Sequence, residues 1–301
     1  MKGRRLFTAL LAAPMAFFIS QEATAKDACT LNDAEISCFQ ISLKDMHTTQ
    51  YSVGMKSVNC KAIKLKDKSD KKLKSYLLSH PVPFVEHDGK YYFTDHHHMS
   101  SALRIATGNP EQKVFGTIIG KVSKEDVAKR KKQINAKSDD EAFWNIMLGN
   151  TWFYPFGVDG GGPQDPYDLP SVAKLSKGKR DNPYRSLAWM VRECGGYTKS
   201  PTPFTEFRWA YYLRGKLGMT NDRLRETIQN KPLDPETFKP EGKLKKDPLY
   251  QENCMGTVDA KESQKLSFCN TPIMTRAIGC AGIPDAQGLP GYIANPDAIC
   301  R

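Results

Sequence analysis

The chain contains no Cys-x-x-Cys pair, which excludes a zinc ribbon and a thioredoxin-type redox site. It has no His-x-x-x-His spacing, so the helical zinc motif of metallohydrolases is not encoded. Asp159, Asp165 and Asp168 lack the alternating spacing of a calcium loop. No internal repeat is present. After the first twenty residues no apolar run approaches the ~20 residues that a membrane-spanning helix needs. Histidine is scarce, six in 301 residues, and three of the six are consecutive.

What is present begins with an export signal. Lys2, Arg4 and Arg5 precede the apolar run Leu6–Ile19, which Pro14 interrupts, and Ala23-Thr24-Ala25 supplies a small-x-small cleavage pattern. Cleavage after Ala25 is expected, leaving a soluble chain of 276 residues that is secreted or periplasmic. Three basic residues and Glu22 leave with the signal, so the net charge falls from +11 to +9. That surplus favours phosphate-bearing or other anionic partners. All eight cysteines survive, and an even number in an oxidising compartment reads as disulfides. Eight cysteines allow 105 pairings. Proximity favours Cys29–Cys38, Cys254–Cys269 and Cys280–Cys300, leaving Cys60 for Cys194.

The pattern predicts an α+β fold in three stretches after the signal segment 1–25. Residues 26–135 read as a small mixed-sheet core with strand-like runs at Ile36–Leu43, Tyr51–Val58, Val82–Val85, Tyr91–Thr94 and Val114–Ile119. Asp88-Gly89 marks a hairpin turn. Residues 136–229 read as the helical portion of the same domain. One helix is capped by Ser138 or Asp139. Another is capped by Asp181 or Asn182 with Pro183 first, and a third starts near Pro203–Thr205. Residues 230–301 read as a proline-rich connector and an irregular, disulfide-stapled tail.

Asp95-His96-His97-His98 is the densest ionisable cluster. The strand-like Tyr91–Thr94 enters it and a helical pattern, Met99–Ala106, leaves it, with Ser100 and Ser101 in the first turn. A helix N-terminus presents unpaired N–H groups and attracts anions. Histidine beside it donates to an anion, exchanges protons near neutral pH, or binds metal. A divalent metal held by two histidines and Asp95 is geometrically open. The alternative is that Asp95 caps the helix, one histidine is buried and hydrogen-bonded, and the others are solvated. The lysine-rich runs Lys61–Lys74 and Lys121–Lys132 either line a polyanion groove or form solvated faces. Both lack the interleaved aromatics of a single-strand stacking platform. Arg185 and Arg192 lie two turns apart on one helix face, where they meet phosphate or pair with acids such as Glu193 and Glu206.

The run GKYYFTDHHHMSSAL (Gly89–Leu103) resembles the ParB/sulfiredoxin-like superfamily, in particular its exported ParB-like nuclease branch. QYSVGMKSVNCK (Gln50–Lys61), DNPYRSLAWMVRECGGYTK (Asp181–Lys199) and PFTEFRWAYYLR (Pro203–Arg214) are similar to further segments of that branch, in family order. The resemblance implies a ParB/sulfiredoxin-like fold with a phosphate site at the strand-to-helix corner. In the superfamily motif His98 falls on the histidine and Met99 falls where arginine stands. His97 takes the place of the sulfiredoxin catalytic cysteine, which excludes sulfinic-acid reduction. The expected function is that of a secreted nuclease or phosphodiesterase. His97 or His98 would serve as general base or metal ligand, with Asp95 and His96 beside it, and Lys61, Ser100, Ser101, Arg185 and Glu206 would form the ligand-binding shell. The competing expectation is a non-catalytic module that binds an anion or an envelope partner.

Overall fold

The computed structural model describes residues 38–228 together with 269, 271–283, 286–293 and 300. The expected signal segment, Cys29, Cys254 and the proline-rich connector lie outside the described residues.

Short runs rich in aromatic and β-branched residues form one five-stranded mixed sheet. Its strands are β1 (Cys38–Ser42), β2 (Met46–His47), β3 (Val82–His87), β4 (Lys90–Phe93) and β5 (Lys113–Lys121), in the order β1-β5-β3-β4-β2. The β1/β5 and β3/β4 pairs are antiparallel, whereas β3/β5 and β2/β4 are parallel. The β3–β4 hairpin turns where expected. Asp88 and Gly89 have φ of 48° and 70°, the left-handed pair whose twist suits a two-residue loop. Side chains alternate across the sheet: Phe84 and Phe93 enter one core, Val85 and Tyr92 the other.

Helices cover both faces. α1 (Met55–Lys66), α2 (Asp70–Leu78) and α3 (His97–Thr107) close the first core, and α1 packs along α3. α4 (Lys124–Ile134) and α5 (Asp139–Gly149) close the second through Val127, Phe143 and Met147. A short α6 (Val172–Leu175) adds Val172 and Leu175 to the first. The remaining helices, α7 (Pro183–Glu193), α8 (Thr205–Leu217), α9 (Asn221–Thr227) and α10 (Pro272–Gly282), build a third core. It is centred on Tyr184, Trp189, Tyr197 and Trp209, and Cys60 and Ile63 of α1 join it to the rest. The fold is therefore α+β, as expected, with a helical half and two disulfides fastening the tail.

Three expectations need correction. Tyr51–Val58 is not a strand: Val53 makes one isolated bridge with Asp181, and α1 starts at Met55. The buried positions Met55, Val58, Ala62 and Leu65 recur at helical spacing, and that period extends past the window that looked like a strand. The Cys254–Cys269 and Cys60–Cys194 pairings are both replaced, because Cys194 bonds Cys269. Sequence proximity measures how easily the unfolded chain closes a loop. Here the third core brings the end of α7 beside the tail, with Cα atoms 5.7 Å apart across 75 residues. Cys280–Cys300 forms as proximity favoured, and Cys38 and Cys60 are disulfide-bonded as well. The described tail also contains α10, which places Met274 and Ala277 in the third core.

Candidate functional site at the strand-to-helix corner

β4 ends at Phe93, and Thr94 still donates its N–H to Pro83. The chain then turns sharply. His96 sits in the left-handed region, φ 67° and ψ 18°, which histidine tolerates better than most residues. Exposed Asp95 accepts the His96 N–H at 2.6 Å, bracing the turn rather than capping the helix. α3 starts at His97 without any side-chain cap, so its first turn keeps the positive end of the helix dipole.

Consecutive helical residues point about 100° apart, and the two histidines of α3 diverge accordingly. His97 is 2% exposed and stacks on Phe93 with ring centroids 4.1 Å apart. Its Nε2 accepts the Thr49 N–H at 3.1 Å. His98 turns toward the start of α1, where its Nε2 accepts the Gly54 N–H at 2.9 Å. Both rings are therefore neutral acceptors that fasten residues 49–54 to α3. Burial pushes His97 down to about 3. Burial, then the charges of Arg185 and Lys61, holds His98 well below the ordinary histidine range.

The helical half completes the corner. Asn182 caps α7 by accepting the Arg185 N–H. Arg185 and Arg192 share a face, and both meet Glu206 in the first turn of α8: Arg185 Nη2 lies 3.1 Å from one carboxylate oxygen and Arg192 Nη1 contacts the other. Arg192 also reaches Glu193 at 3.0 Å. Burial alone would raise Glu206, but the two arginines outweigh it and keep the carboxyl below its usual range. Arg185 is only 6% exposed, and its guanidinium lies over Phe207 at 5.5 Å. Its Nε and Nη1 are buried with no hydrogen-bond partner among the described residues. Lys61, from α1, makes no hydrogen bond or ion pair among the described residues. Burial, then Arg185 and Arg192, lowers its pKa, while Glu206 and Asp95 oppose that shift.

The fold thus gathers Asp95, His98, Lys61, Arg185 and Glu206 from four separated segments into one electrostatic neighbourhood. His97 faces another way, into the loop that carries Thr49. Ser100 and Ser101 are fully buried, and neither hydroxyl has a hydrogen-bond partner among the described residues. Among the described residues no group of three His, Cys, Asp or Glu side chains could hold one metal ion, so the set of two histidines and Asp95 is not assembled. Three lysines of the second basic run, Lys121, Lys124 and Lys131, instead pair with Glu86, Asp88 and Asp139 at the surface.

Sequence reasoning overlooked Thr49 and Gly54, whose backbone N–H groups occupy the histidine rings. It also read Asp181 only as a local cap. Asp181 is fully buried; its carboxylate accepts the Met55 N–H at 3.0 Å and holds Arg225 at 2.9 Å. It caps α1 from 126 residues away, a relation with no local sequence signal.

A mixed sheet hands its chain through a sharp turn into an uncapped helix, beside a buried arginine, within an α+β fold. A family profile described as "Putative ParB-like nuclease" matches residues 39–215, more than half of the chain, and the protein belongs to that family. Among solved structures it is similar to protein Atu1540 from Agrobacterium tumefaciens, with a TM-score of 0.56 and 23% identity over 86% of this chain and 98% of that one. At that identity the likeness concerns the fold alone. No curated protein matches the chain.

Proposed function

We propose that the corner binds a phosphate group of an extracytoplasmic substrate and that the protein acts on it as a nuclease-like phosphodiesterase. The observation that carries this reading is Arg185, nearly sealed from solvent with Nε and Nη1 unpartnered among the described residues, beside Lys61, which makes no hydrogen bond or ion pair among them either. Buried donors without acceptors cost stability. A phosphate oxygen would satisfy them and relieve the mutual repulsion of Arg185 and Lys61. Asp95 or His96 would take the proton of an attacking water, while Lys61 and Arg185 stabilise charge on the phosphate oxygens. The general-base role expected of His97 or His98 does not suit these rings, since both Nε2 atoms are engaged and burial resists their protonation.

The export expected from the basic and apolar start of the sequence belongs to the same proposal. Among the described residues no helix is long and apolar enough to cross a membrane. Two intramolecular disulfides suit an oxidising compartment.

A second reading, anion binding without cleavage, is favoured by the two engaged histidines. One experiment separates them. The purified chain is incubated with DNA, RNA and a phosphodiester reporter, with and without divalent metals, and inorganic phosphate binding is measured by calorimetry. Cleavage that disappears in Asp95→Asn/His96→Gln supports the enzyme. Phosphate binding that is lost in Arg185→Gln, with no turnover above the double variant, leaves the binding reading. Phosphate binding unchanged by Arg185→Gln refutes both.

A further inference from the structure

The outward side of α8 carries Arg208, Tyr211 and Gly215, spaced three and four residues apart along one stripe, with Phe204 just before its first residue. That stripe is one wall of an open groove of ≈1160 Å³. Tyr154 and Phe156 form the other side, with the glycines 160–162 beyond them. The rings are continuous: Tyr154 lies 5.3 Å from both Phe156 and Phe204, centroid to centroid. Tyr211 stands at the rim, 68% exposed. A Cβ at Gly161, Gly162 or Gly215 would meet nothing within 4 Å, so the space between the walls is open.

Among the described residues, the charged ones lining this groove are Arg208 and Lys216, both cations, with no carboxylate beside them. Arg208 is exposed and has no side-chain partner among the described residues. Lys216 holds its Nζ 5.6 Å from the centre of the Tyr212 ring. Flat aromatic faces interleaved with cations are what a single nucleic-acid strand needs, bases stacking on rings while phosphates meet arginine and lysine. Duplex DNA hides its bases and offers only phosphates to such a surface. A proline-rich peptide also suits aromatic grooves, but it supplies no negative charge for Arg208.

We infer that this groove is a binding track for a single-stranded nucleic acid. It lies against the corner without being part of it: Phe207 stacks on Tyr154 with centroids 4.2 Å apart and carries the Arg185 guanidinium at 5.5 Å. A strand in the groove would therefore run beside the proposed phosphate site. The inference does not depend on cleavage there, because a strand bound in the groove without turnover refutes the enzyme reading alone.

The test uses the full chain and a fluorescein-labelled dodecathymidylate, read by anisotropy. Competitors are the same oligonucleotide annealed to its complement, inorganic polyphosphate and a proline-rich peptide. Tyr211→Ala and Arg208→Glu alter exposed side chains, and circular dichroism melting checks that both variants are folded. The expected result is saturable single-strand binding that Tyr211→Ala weakens at least about fivefold, the lower end of one stacked base. Arg208→Glu weakens it further and flattens its salt dependence. Several results overturn the inference: no saturable binding of the single strand, unchanged binding in Tyr211→Ala, or displacement by duplex or polyphosphate as effective as by unlabelled single strand. Tighter binding of the proline-rich peptide overturns it as well.

Discussion

The two sides of α8 handle charge in opposite ways. At its first turn Glu206 points inward and is gripped by Arg185 and Arg192, with most of the cluster withdrawn from water. Along its outward stripe Arg208 is exposed, among rings that also face solvent. The inward cluster is costly to disturb, since each buried charge depends on the others for compensation. The outward stripe is nearly free to change, because water solvates what a neighbour does not. Stability and recognition are thus carried by different faces of one helix. Between them lies Arg185, which shares its charge with Glu206 yet keeps two donors unused.

The largest effect should come from breaking the inward cluster. Glu206→Ala leaves Arg185 and Arg192 without their shared carboxylate, and denaturant unfolding should show a loss of about 3–5 kcal/mol. A cost below about 1 kcal/mol would mean that solvent, not Glu206, compensates the arginines. Acid should act next, through His97. Its folded pKa, near 3, lies below the ordinary value of 6.5, so the unfolded chain binds the proton more readily. Stability is therefore fully present above about pH 6.5 and is lost as pH falls toward 3. Removing the titrating group with His97→Gln should flatten this part of the pH–stability curve; an unchanged slope would contradict the neutral, buried ring.

Two glycines sharpen the contrast between the packed corner and the open groove. A Cβ on Gly54 would stand 2.7 Å from the Ser186 nitrogen and 2.9 Å from the Arg185 carbonyl carbon, backbone atoms that cannot turn aside. Gly54→Ala should therefore cost about 1–3 kcal/mol by forcing α1 from α7. Gly161→Ala meets open space and should stay within about 0.5 kcal/mol of wild type in the same denaturant unfolding. The smallest change is expected for Arg208→Ala, again within about 0.5 kcal/mol. A large loss there would show that the outward stripe supports the fold after all.

Some features were legible because they depend on neighbours in sequence. The Asp88-Gly89 turn, the Asn182-Pro183 start of α7 and the Ser138 cap of α5 each follow from local backbone preferences. The corner itself was also legible, since a strand pattern ran into a helical one at the histidine triplet. Its internal arrangement was not. Which face His97 and His98 present depends on the left-handed turn at His96, and what they bind depends on residues 44 to 48 positions earlier.

The sequence by itself determined the α+β class, the family and the place of the corner, because hydrophobic period, caps and turn residues act over a few positions. Only the tertiary structure decided that Cys194 meets Cys269, that Asp181 caps a helix 126 residues away, and that two of the three histidines are engaged as neutral acceptors. It also decided that Arg185 ends with unused donors and that the α8 aromatics line a groove. Each of these depends on which surfaces are buried against one another, and that is settled by packing the whole chain.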